Sequence, residues 1–143
     1  MVRGGDALDA IVEANEFNDP PDAGFEYLLI EVDVCNVVDI DELKGLSEFN
    51  FQLFDADGTE IEMLFITVPT PGIGVDLFPG GQHRGWIVFA VPNGKLDLVL
   101  KVDPLYFDFA ADADASVRFF AIHIGEEGAR GVWARSGDHF PPA

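Results

Sequence analysis

The chain has 143 residues, with 26 acidic against 8 basic side chains and a formal charge of −18, so its field repels nucleic-acid backbones and anionic lipid head groups. A hydrophobic content of 48% with 13 Phe excludes a disordered polymer, and the length suffices for one core without disulfides or a structural metal. We read residues 1–143 as a single domain.

Taken in chain order, Met1–Asp9 hold one Arg and no apolar core, so the reading places no signal peptide there, and no later run has the length of a membrane span. Asn15, Phe17, Asn18, Pro20 and Pro21 form a loop whose Asn side chains can bond backbone groups and whose prolines fix its path, a structural clamp. Glu26–Asn36 is a long strand with Leu28, Ile30, Val32 and Val34 on one face. Its other face, Tyr27, Leu29, Glu31 and Asp33, is mixed and partly wet. Cys35, the one cysteine, lies within this run and reads as a buried, inert thiol.

Phe49, Phe51 and Leu53 alternate with polar residues before the turn residues Asp55-Ala-Asp-Gly58, after which Ile61, Met63 and Phe65 resume the pattern, which is a hairpin. Val68–Gly81 is dense in Pro and Gly and reads as an ordered excursion carrying exposed Ile73, Val75, Leu77 and Phe78. Trp86–Val91 is apolar on both faces, and Pro92-Asn93-Gly94 turns it into Leu96, Leu98, Leu100 and Val102, a second hairpin. Beyond Asp103-Pro104 come an aromatic cluster, the acidic tract Ala110–Ala115, strands at Val117–Ile124 and Gly131–Arg135, and a loosely docked tail at Ser136–Ala143. With no stretch of a dozen residues at helical spacing, the fold class is all-β: an immunoglobulin-like antiparallel β-sandwich of about seven to nine strands, with a closed barrel as the alternative.

The segment from Ala14 through Asn15, Phe17, Asn18, Pro20 and Pro21 to Val34 resembles a recurring piece of bacterial and archaeal cell-surface proteins. It is similar to the telokin-like, immunoglobulin-like family of many lipoproteins, related to a secreted mycobacterial immunoprotective antigen. Phe51–Gly58 and Leu77–Pro92 agree with it, so the resemblance spans about residues 14–102. It implies an extracytoplasmic, cell-surface sandwich with no established catalytic residues to carry over, and an opening strand before the Asn-rich loop that is short here, Leu8–Glu13.

Asp55, Asp57 and Glu60 look like the opening of a calcium loop, yet a distal bidentate Glu is missing and hairpin turns recruit Asp and Gly for backbone reasons. Asp108, Asp112 and Asp114 are a weaker echo of the same idea. His83, His123 and His139 have no ligand spacing, and His83 reads as a surface polar residue. No Gly-x-Ser-x-Gly elbow supplies a nucleophile, so the chain reads as no enzyme and as needing no cofactor, with calcium the one weak candidate. An apolar patch from Ile73, Val75, Leu77 and Phe78 with Trp133 and Phe140 would suit a protein partner, and capping the core is the competing role for the same residues. The leading expectation is therefore a non-catalytic binding module, its face formed by the excursion and the mixed side of Tyr27–Cys35. The alternatives are a self-associating structural subunit and a calcium-responsive domain.

Overall fold

The computed structural model describes residues 1–36, 44–103, 118–122 and 132–135. In chain order the elements are β1 (Val2–Arg3), α1 (Gly5–Ala14), β2 (Phe25–Cys35), β3 (Lys44–Leu46), a 3-10 turn at Glu48–Asn50, β4 (Phe51–Asp55), β5 (Glu60–Ile61), β6 (Val75–Leu77), β7 (Gln82–Pro92), β8 (Leu98–Val102), β9 (Arg118–Ile122) and β10 (Val132–Arg135). Every strand pair among the described residues is antiparallel, which gives the all-β, sandwich-like class expected from the alternating pattern. The chain forms two compact units, Met1–Glu48 with Glu62–Gly94, and Phe49–Ile61 with Lys95–Ala143.

In the first unit β2 and β7 pair over eleven residues, from Phe25 opposite Pro92 to Cys35 opposite Gln82, and β1 adds to β2 at Leu28 and Leu29. Tyr27, Leu29 and Val88 project to one face of this sheet, where α1 covers them with Ala7 and Ile11. Leu8, Ala10, Leu64, Ile66, Val68 and Trp86 pack around that cluster. Burying a side chain of the size of Ile11 is worth about 1.5–3 kcal/mol, enough to hold a ten-residue helix that would not persist alone. Leu28, Ile30, Ile87, Phe89 and Val91, on the alternate positions, are buried as well.

The opening strand expected at Leu8–Glu13 is instead part of α1. Ala7 and Ile11 stand one helical turn apart and both are fully buried, Leu8 packs beside them, and Asp6 lies in the first turn where the helix dipole favours an acid. Ten residues are too few to show in a search for a dozen at helical spacing.

In the second unit the sheet order is β10-β9-β8-β4-β5, with Phe51, Leu53, Ile61, Leu98 and Leu100 buried. β4 and β5 form the expected hairpin around Asp55–Gly58, although β5 spans two residues and ends before Met63 and Phe65. The second expected hairpin is absent. β7 lies in the sheet with β1 and β2, whereas β8 pairs with β4 and β9. The Pro92–Gly94 turn is caught by the start of β2: the Asn93 N–H donates to the Gly24 carbonyl at 3.0 Å and the Gly94 N–H to a Glu26 carboxylate oxygen at 2.9 Å.

Candidate functional site

The Pro- and Gly-rich stretch 68–81 is tied to the first unit at three places. At its first half, after a cis Thr70–Pro71 bond, the Pro71 carbonyl accepts the Trp86 N–H at 3.0 Å, and the Ile73 N–H donates to the Trp86 carbonyl at 3.2 Å. The His83 ring adds a third bond, its Nε2 donating to the Gly72 carbonyl at 2.8 Å. Midway, β6 pairs with β3, setting Val75 opposite Leu46 and Leu77 opposite Lys44.

At the far end the chain turns on Gly80, whose φ of 79° lies in the left-handed region, and the Gly81 N–H closes on the Phe78 carbonyl at 2.8 Å. Asn36 holds this turn from three sides. Its N–H donates to the Gly81 carbonyl (2.9 Å), its carbonyl accepts from Gly80 (2.7 Å), and its side-chain amide donates to the Leu77 carbonyl (2.9 Å). Asn36 is itself buried, so these bonds form out of water, where leaving them unmade would cost about 1–3 kcal/mol.

Phe78 stands on that turn with 69% of its surface in water. Val75 and Leu77 are half-buried beside it, but Ile73 is fully buried and is no part of an exposed patch. The parallel bridge between Gly72 and Trp86 draws Ile73 inward, a contact across thirteen residues with no local signature. Trp133 has its backbone in β10 opposite Phe120, and its side chain and Phe140 lie outside the described residues.

The mixed face of β2 divides in two. Tyr27 and Leu29 are beneath α1, whereas Glu31, Asp33 and Cys35 are exposed. Arg84 bridges the open half, 2.8 Å from Asp33 and 3.8 Å from Glu31, and the Asp33 carboxylate, followed by the Glu31 charge, raises the guanidinium's pKa above its ordinary value. Cys35 is exposed rather than buried, because α1 does not extend over the last turn-ward residues of β2 and the alternation there brings every second side chain to solvent. His83, read as a surface polar residue, is half-buried and spends a ring nitrogen on Gly72.

The Asp55 turn is self-contained. One Asp55 carboxylate oxygen accepts the N–H groups of Asp57 and Thr59, both at 2.9 Å, and the other is 3.4 Å from Lys95 Nζ. The Thr59 N–H, ahead of Lys95 and Asp57, holds the Asp55 carboxyl below its ordinary range. Glu60 accepts from the Gln52 amide at 3.0 Å. Asp55, Asp57 and Glu60 therefore do not converge on a cation, and among the described residues no three His, Cys, Asp or Glu side chains do. His123, His139, Asp108, Asp112 and Asp114 lie outside the described residues.

The Asn15–Pro21 loop is a clamp, as its composition implies. Asn18 donates its amide to the carbonyls of Ile11 (2.9 Å) and Thr67 (2.8 Å), Thr67 N–H returns a bond to Asn18 Oδ1 (3.3 Å), and Asn15 reaches Thr67 Oγ1 (3.2 Å). The Tyr27 hydroxyl donates to the Asp19 carbonyl. Asn36 and His83 are the clamps that sequence reasoning missed; a lone Asn just past a strand end, facing a Pro-Gly-Gly turn, is the signal that marks the first.

Fold and site together define a small all-β module with a pinned, aromatic-tipped loop. The chain belongs to the family described as a domain of unknown function (DUF4352), whose model matches residues 7–111. Among solved structures it is similar to ycdA of Bacillus subtilis subsp. subtilis str. 168, described as a "putative lipoprotein", at 19% identity and a TM-score of 0.58 over 76% of this chain. The match takes in 32% of ycdA, so this chain spans about a third of that protein's length. No curated protein sequence matches the chain. Among the described residues no helix is long and apolar enough to cross a membrane.

Proposed function

We propose that this chain is a non-catalytic, extracytoplasmic interaction module that engages a protein partner through the tip of the 75–81 loop. The observation that carries the reading is Phe78, a large apolar side chain exposed on a turn that a buried Asn36 fixes through three hydrogen bonds. A pre-ordered aromatic loses little conformational freedom on binding, which is why such residues dominate the energy of interfaces. Val75 and Leu77 extend the apolar surface at the foot of the loop, and exposed Asp76 gives it an acidic rim. The extracytoplasmic setting is supported by the likeness to a described lipoprotein, and the immunoglobulin-like form of the sandwich by the resemblance of residues 14–102.

A photo-crosslinking side chain placed at position 78, with position 96 as a control, tests the reading in extracts of the native host's surface fraction. Leu96 is 56% exposed, so both positions meet solvent. Capture of one discrete protein from position 78 and none from 96 is expected. Equal, diffuse labelling from both removes the loop as a binding face, and a crosslinked dimer of this chain replaces the foreign partner with self-association.

A further inference from the structure

We infer that Pro71–Ile73 is an edge guard: it occupies the outer edge of β7 at Trp86 and keeps a second copy of this chain from adding its own β7 there. β7 runs for eleven residues and is apolar from Trp86 to Val91. β2 takes one edge over its whole length. On the other edge the described contacts are two isolated bridges, Met63 with Phe89 in the antiparallel sense and Gly72 with Trp86 in the parallel sense. A long apolar strand would become a template for another strand if the outer N–H and C=O groups at such an edge were uncovered.

The guard takes both backbone groups that Trp86 offers outward, through Pro71 and Ile73. Its fit depends on position 85 having no side chain. A Cβ on Gly85 would stand 2.4 Å from the Gly72 carbonyl oxygen and 2.7 Å from both the Gly72 carbonyl carbon and Ile73 Cα, all of them backbone atoms that cannot swing aside. His83, two residues earlier, fastens the same Gly72 carbonyl. Residues 83–86 of the edge strand thus carry the fastener for their own cover, and the parallel bridge stands apart from the strand pairs of the described residues, which are all antiparallel. A segment that served packing alone would lower stability when loosened; a guard, when loosened, lets copies associate.

The test uses the whole chain with Gly85→Ala or His83→Ala, in about 1 M salt, where a Debye length of roughly 3 Å removes the mutual repulsion of highly acidic copies. Trp86 amide exchange reports the guard, and light scattering reports the solution mass. In both variants the Trp86 amide should exchange about tenfold faster, as loss of one hydrogen bond's worth of protection implies, and the mass should rise with concentration to twice the wild-type value or more. A variant mass equal to that of the wild type while the Trp86 amide is released overturns the inference, and so does unchanged exchange in both variants. If Gly85→Ala does not fold, His83→Ala, which adds no atom to the contact, decides by the same two readouts.

Discussion

Two stretches of this chain are marked by turn-forming residues, Asp and Gly in one and Pro and Gly in the other, and behave differently. Asp55–Gly58 closes on itself: the Asp55 carboxylate meets N–H groups two and four residues on, and β5 follows at once. Val68–Gly81 is held by Trp86, His83 and Asn36, the last of them 41 residues before the Leu77 carbonyl that its amide bonds. Composition announces a reversal of the chain in both, but only where the partners are local does it also announce the structure. Pro92–Gly94 belongs with the second kind, since Glu26 catches it from 68 residues away.

The comparison breaks most easily at Ile73. If the excursion is part of the folded core, Ile73→Ala should destabilise the chain by about 2–5 kcal/mol in a denaturant titration, the range for truncating a buried aliphatic. Phe78→Ser, five residues on, should stay within about 0.5 kcal/mol of the wild type, as exposed positions do. Equal losses at the two would mean that the excursion does not separate a buried anchor from an exposed tip.

Glu26 comes next. Its carboxylate receives Arg3 and the Gly94 N–H in a half-buried setting, so Glu26→Ala should cost about 1–3 kcal/mol, with the Gly94 amide losing protection. Asp55→Ala should lower the unfolding midpoint less and speed exchange at Asp57 and Thr59, leaving β4 and β8 paired.

Acid sharpens the same contrast. The hydrogen bond from Arg3, opposed by desolvation and helped by the Gly94 N–H, holds the Glu26 carboxyl below its ordinary 4.5. The unfolded chain therefore takes up the proton first: the stability contributed by Glu26 is complete above the ordinary value and is lost as pH falls through the depressed one. Glu26→Gln should flatten that acid limb. Tyr27 acts at the other end of the scale, since burial, with Asp19 and Asp22 nearby, lifts its hydroxyl above the ordinary 10.0. Its contribution is present below that value and lost as pH rises through the folded one, and Tyr27→Phe should remove the alkaline loss. The smallest effect is chemical rather than energetic: Cys35, exposed at the end of β2, should react with a thiol reagent in the native state about as fast as in the unfolded chain, whereas a thiol beneath α1 would be silent.

Much of the fold was legible because strand alternation is a local property. Phe51 and Leu53 point inward as their spacing implies, Ile87, Phe89 and Val91 share one buried face while Val88 lies on the other, and the open half of β2's mixed face is the half rich in acids. What was not legible required knowledge of what covers what. Ile73 and Cys35 exchanged their expected environments because one is drawn in by Trp86 and the other is left outside the reach of α1. The helix itself hid because Ala7, Ala10 and Ala14, although strong helix formers, carry too little apolar bulk to mark a buried face. Phe78 was expected to be exposed with the rest of the Val68–Gly81 excursion and is so, while the Asn36 clamp that gives it a fixed position was not foreseen.

Native-state amide exchange at Asn36 and across residues 68–86 tests the central claim, an exposed aromatic on a pinned loop, most directly. The account predicts that the amides of Asn36, Ile73, Gly80, Gly81 and Trp86 are protected to nearly the level of β7, each having a carbonyl partner, while substitution at Phe78 leaves that protection intact. Exchange of Asn36, Gly80 and Gly81 at the rate of an unstructured peptide would contradict it, because the loop would then offer Phe78 in no fixed position.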